Sequence, residues 1–115
     1  MKRLGPTTKT QRGFEKVEFK DLYGCACSLQ ESSLATERAI WVGIDDANPL
    51  VLASQAAEVG VKTTATTGWV PYPIPESVLL HTRMHMNVAQ VKALIRHLQR
   101  WIDDGTFKQS LYKVT

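Results

Sequence analysis

The periodic run from Asn87 to Gly105 constrains this 115-residue chain more than any other stretch. Val88, Val91, Leu94, Ile95, Leu98, Trp101 and Ile102 recur at three- and four-residue steps, which places them on one apolar stripe of a helix. Asn87 can cap the amino end, because its side-chain oxygen reaches the unpaired amides of the first turn, and Gln90 can reach back in a capping box. Gly105 stands where a left-handed terminating residue is wanted. The other face carries Lys92, Arg96, His97 and Arg100. Immediately before the helix the chain alternates, Val78, Leu80, Thr82, Met84 and Met86 against Leu79, His81, Arg83 and His85, which is strand periodicity. A strand running straight into a capped helix is the frame on which the rest must pack.

The length fits one domain, large enough for a core and small enough to gain from oligomerisation. The net charge of +3 is concentrated at the start, where Lys2, Arg3, Lys9 and Arg12 fall among twelve residues without an acid. The remainder is close to neutral, so the pI near 9.0 argues only weakly for a nucleic-acid binder. Cys25 and Cys27 are two apart on a strand and cannot easily form an unstrained disulfide with each other. No signal-peptide pattern opens the chain, and no apolar run approaches the roughly 20 residues that span a bilayer. These features predict a soluble protein of a reducing cytoplasm, without membrane association.

In chain order, 1–12 reads as a flexible basic tail. Phe14 to Phe19 reads as a strand, Asp21 to Gly24 as a hairpin turn, and Cys25 to Gln30 as the returning strand. The cysteines are expected in the core, where small thiols behave as hydrophobes. A hydroxyl-rich loop, 31–37, leads to the β-branched strand Arg38 to Ile44, in which Gly43 permits a close backbone approach. Asp45-Asp46-Ala47-Asn48-Pro49 stops that strand. Residues 50–68 read as an irregular insertion, with a short strand at Leu50 to Leu52 and a turn or two of helix at Ala53 to Val59. The proline-spaced run 68–75 must be extended. The predicted fold is α+β: an oligomeric antiparallel sheet of about four strands, with one long C-terminal helix packed on it. The domain spans 13–107, and a C-terminal tail follows at 108–115.

A Cys₂His₂ zinc site from Cys25, Cys27, His81 and His85 is disfavoured by spacing, since one residue separates the cysteines and the histidines fall on a strand. No nucleophile elbow, phosphate loop or dinucleotide fingerprint is present. No catalysis, metal or cofactor is therefore expected. Arg83, between two histidines on the polar side of its strand, has two readings. It pairs with Glu31, Glu37 or an aspartate, or its fork holds an anion. Trp41, Trp69 and Tyr72 are candidates to stack on a flat base or to fill the core. The basic helix face suits either a nucleic-acid backbone or plain solvation.

Two segments, CSLQESSLATERAIWVGIDDANP at 27–49 and TRMHMNVAQVKALIRHLQRWIDDG at 82–105, together resemble a group of small phage-encoded proteins, the Thoeris anti-defence sponge proteins. That resemblance implies a non-enzymatic oligomer, built on a two-fold dimer, that sequesters a cyclic ADP-ribose signal or a cyclic oligonucleotide in the host cytoplasm. Its pockets would lie where subunits meet. Carried onto matching positions, the implied ligand-binding residues are Ser28, Gln30, Ser32, Ser33, Trp41, Arg83, Met84 and His85, with Gly43 also matching. Met86-Asn87-Val88 and Trp101 depart from the group's pattern, and 50–68 stands as an insertion, which leaves the pocket's shape open. The leading expectation is thus a phage protein that captures a cyclic nucleotide-type immune signal. A phage protein–protein inhibitor and a small nucleic-acid-binding regulator are the alternatives.

Overall fold

Alternating side chains and two tight turns fold residues 7–44 into a meander. The computed structural model describes residues 4–108. Strands β1 (Thr7–Lys9), β2 (Glu15–Lys20), β3 (Ala26–Glu31) and β4 (Ala39–Ile44) run antiparallel in sequence order. After an excursion, β7 (Arg83–Asn87) pairs antiparallel with β4, giving a five-stranded sheet in the order β1-β2-β3-β4-β7. In the β2–β3 turn the Asp21 carboxylate accepts from the amides of Tyr23 and Cys25, both at 2.9 Å, and Gly24 takes φ 84°.

The excursion is a separate ribbon. β5 (Leu50–Leu52) pairs antiparallel with β6 (Trp69–Pro71), and between them lies a 3-10 helix, Ala53–Val59, ended by Gly60 at φ 79°. The short strand and helical turns expected in 50–68 are present, and the pairing with the proline-rich run gives them an anchor.

Three expectations change. Residues 7–9 of the supposed tail form β1: Thr7 pairs with Val17, and a turn closed by Phe14 N donating to Thr10 Oγ1 (3.1 Å) brings the segment back onto β2. Strand β7 begins only at Arg83, because Pro75 O accepts from Val78 N (3.0 Å) in a turn and 78–82 pairs with nothing in the sheet. Third, α1 (Val88–Asp104) forms with both halves of its capping box, Gln90 N to Asn87 Oδ1 at 2.9 Å and Asn87 N to Gln90 Oε1 at 3.0 Å, but it does not lie across the sheet. Its substantial contact is with β7, the strand that runs into it. No residue intervenes between β7 and α1, so the chain has no loop with which to turn back over the face.

The sheet is consequently a single layer. Val17, Leu29, Val42 and Met84 form one row of its apolar face, and Ile40 and Met86 lie in the next row. No helix or second sheet covers that face among the described residues. Only Cys27, Ser28 and Ala56 are buried among the described residues, whereas a stable domain normally needs two packed layers. Burial pushes the Cys27 thiol above its ordinary value, with the nearby Asp21 charge adding to the effect, while Cys25 is exposed at the hairpin end. The radius of gyration is 19.2 Å, against about 13 Å for a compact chain of this length. No helix among the described residues is long and apolar enough to cross a membrane. Most of the tail read at 108–115, including Leu111 and Tyr112, lies outside the described residues.

Candidate functional site

Register decides which polar side chains meet. Gln30, Trp41 and His85 are directly opposite one another on β3, β4 and β7, and Ser28, Gly43 and Arg83 form the adjacent row on the same face. Cross-strand neighbours in an antiparallel sheet lie about 4.5–5.5 Å apart at Cβ, close enough for large side chains to interact. The Trp41 and His85 rings stack with centroids 3.9 Å apart and planes within 8°. The Arg83 guanidinium carbon lies 5.7 Å from the centre of the Trp41 ring, within cation–π reach.

Polar contacts hold this cluster in place. Arg83 Nη1 donates to Gln30 Oε1 at 3.0 Å, so the guanidinium is positioned by a neutral amide. His85 Nε2 and Ser32 Oγ share a hydrogen bond of 2.8 Å, and the same Oγ accepts from Leu34 N at 3.1 Å. Ser32 therefore couples the imidazole to the loop after β3. Among the described residues the one ion pair is Lys16–Glu18 at 3.6 Å, so neither Glu31, Glu37 nor any aspartate lies within ion-pair distance of Arg83. Of the two readings of that arginine, pairing with an acid is not what the structure has.

The approach to Trp41 is a groove of about 320 Å³. Gln30, Glu31, Ser33 and Trp41 form one side, the Glu31 carboxylate accepting from Glu15 N at 2.7 Å, and Arg12 and Phe14 from the β1–β2 turn form the other. The Arg12 guanidinium carbon lies 5.7 Å from the Phe14 ring centre. Reading 1–12 as a tail hid Arg12. The turn chemistry of Thr10 through Gly13, with Gly13 at φ 86°, was the available signal.

Two of the residues implied by resemblance stand elsewhere. Ser28 is fully buried, and its hydroxyl donates to Asp45 Oδ1 at 2.6 Å. Asp45 O in turn accepts from Thr82 Oγ1 at 3.4 Å, so this set ties the end of β4 to the start of β7. Met84 points to the opposite, apolar face by the alternation of β7 and is 58% exposed. Gly43 (φ 149°) admits the β7 backbone: a Cβ there would stand 2.5 Å from Thr82 O and 2.9 Å from Arg83 Cα. The close approach is thus made by the chain itself. Trp69 and Tyr72 belong to the β5–β6 region and not to this cluster. No group of three histidine, cysteine, aspartate or glutamate side chains converges among the described residues.

The arrangement is a shallow polar face carrying a stacked aromatic pair and a guanidinium with no acidic partner. Chemically it suits a flat, anionic molecule: the fork retains N–H donors for phosphate or carboxylate oxygens, and the rings offer a surface for stacking. No protein-family model matches the chain, and neither a curated protein nor a solved structure does. The class defined by geometry alone is an α+β protein with an open five-stranded sheet that displays this aromatic–guanidinium cluster.

Proposed function

We propose that the chain is a non-enzymatic binding protein that captures a compact anionic ligand with a flat ring. A cyclic nucleotide-type signal, such as a cyclic ADP-ribose isomer or a cyclic oligonucleotide, is the ligand class. The observation that carries this reading is Arg83, set against Trp41 and held by Gln30 with no carboxylate in ion-pair range. Positioned by a neutral amide beside an aromatic ring, the guanidinium keeps its charge and its remaining N–H donors for another partner. Binding without cleavage requires donors and stacking surfaces but no general base.

The resemblance of 27–49 and 82–105 to the Thoeris anti-defence sponge proteins gives this reading its biological setting, a phage protein that sequesters a bacterial immune signal in the host cytoplasm. Gln30, Ser32, Ser33, Trp41, Arg83 and His85 are the residues assigned to the ligand; Ser28 and Met84 are assigned to the fold. In the basic-helix alternative, Arg100 has less to offer a nucleic acid, since its Nη1 donates to Phe107 O at 3.3 Å.

The test is calorimetry and thermal shift of the purified protein with cyclic ADP-ribose isomers and cyclic dinucleotides, followed by heating and recovery of the ligand. Binding with intact ligand released is expected. Arg83→Ala is expected to weaken that binding by about 3 kcal/mol, roughly a hundredfold. It should leave stability within about 1 kcal/mol, since a single hydrogen bond to Gln30 is lost. No binding of any of these ligands, or recovery of cleaved product, would overturn the proposal.

A further inference from the structure

We propose that the β1–β2 turn is the second wall of the ligand site and that Arg12 is a further ligand-binding residue, its guanidinium taking an anionic group on the side of Trp41 away from Arg83. This role rests on the ligand reading above, but Arg12 lies outside both segments that carry the resemblance. Register is the first support. Thr8, Lys16, Gln30, Trp41 and His85 stand opposite one another across all five strands, as one row of the polar face. Arg83 lies in the adjacent row on one side, with Glu18, Ser28 and Gly43. On the other side come the turn and Phe14, which stands two residues before Lys16. The two flanking positions are four residues of strand apart, about 13 Å at roughly 3.3 Å per residue. The row of Trp41 runs between them.

The wall itself is already built. His85 covers one face of the indole, and the groove of about 320 Å³ reaches Trp41 from the side of Gln30. That volume falls within the range of small-molecule sites, about 300–1,000 Å³. A flat ring entering it meets the indole on one side and the Phe14 phenyl on the other. Backbone bonds fix the turn: Thr10 N donates to Phe14 O at 2.8 Å, and Gly13 N to Thr10 O at 2.9 Å. Glu15 N, donating to Glu31 Oε1 at 2.7 Å, ties the base of the turn to the end of β3. A wall held this way gives up little freedom when a ligand arrives.

The charge of Arg12 is also unspent. Its guanidinium carbon lies 5.7 Å from the Phe14 ring centre, an attraction that leaves the N–H donors available. The acid on the groove is Glu31, whose carboxylate is engaged by Glu15 N and stands outside ion-pair distance of Arg12. Lys16, the cation of the Trp41 row, is paired with Glu18 at 3.6 Å. Among the described residues neither Arg12 nor Arg83 has an acid within ion-pair distance, and the two flank one indole. A ligand that satisfies both forks carries two anionic groups set apart by a flat ring. The phosphates of a cyclic dinucleotide have that arrangement; the adjoining phosphates of cyclic ADP-ribose do not.

Calorimetry of the full chain with cyclic di-adenosine monophosphate and with cyclic ADP-ribose, over a range of salt concentrations, tests it. Arg12→Gln is expected to weaken binding of the dinucleotide about tenfold and to flatten its dependence on salt. The thermal midpoint of the free protein should not move, because Arg12 is exposed and holds no other element. Dinucleotide binding that is lost in Arg83→Ala but kept in Arg12→Gln would overturn the role of Arg12 and leave the ligand reading standing. So would weakening by Arg12→Gln with an unaltered salt dependence, which marks a packing role. Wild type that binds cyclic ADP-ribose alone would likewise overturn the two-fork site and not the ligand reading. Wild type that binds neither compound overturns both.

Discussion

At Gly43 the sheet tolerates no side chain, because a methyl group would collide with the carbonyl of Thr82 and the Cα of Arg83, both backbone atoms that cannot swing aside. Gly43→Ala is therefore expected to lower stability by about 2 kcal/mol or more, measured by urea unfolding. Because the clash falls on Arg83 itself, the same change should also weaken any ligand held there. At this scale the sequence was partly legible. Trp41, His85, Gln30 and Arg83 were among the candidates, but so was Met84, which the alternation of β7 places on the apolar face. What alternation could not supply was register. Only the pairing of β3, β4 and β7 shows that Ser28 is sealed against Asp45 while Gln30, one row away, is in the cluster. Arg12 was missed because a tail and a three-residue edge strand have the same polar composition.

Among the elements, α1 was the most readable, since its cap, its box and its terminating glycine are all local signals. Gly105 takes φ 70° and its amide donates to Trp101 O at 2.9 Å. Asn87→Ala removes the side chain that accepts from Gln90 N and is expected to cost about 1 kcal/mol, seen as a lower midpoint in thermal circular dichroism. Strand β7 was read too long because Val78 to Thr82 alternate just as its true residues do. Alternation reports which side a residue would face, not whether a neighbouring strand is there to receive it. The β5–β6 ribbon was legible as pieces, but their pairing joins Leu50 to Pro71, twenty-one positions apart in the chain, and no local pattern encodes that.

For the whole molecule, the mean of the evident signals pointed to a helix laid on its own sheet, and an amphipathic helix beside a one-sided sheet invites that conclusion. The pattern shows that each surface must be covered; it does not say by which molecule. With three buried residues among those described and a radius of gyration of 19.2 Å, the isolated chain lacks the burial that ordinarily offsets the entropy of ordering. If a second copy supplies the missing cover, the thermal midpoint rises with protein concentration. A tenfold dilution that leaves the midpoint unchanged in scanning calorimetry would contradict that expectation.

The direct passage from β7 into α1 has one more consequence. Asn87 is both the last residue of the strand and the cap of the helix, and His85, stacked on Trp41, is only two residues upstream. With no slack between them, the helix acts as a lever whose fulcrum is the end of the strand. Any torque applied along α1 is delivered to the imidazole and the indole resting on it.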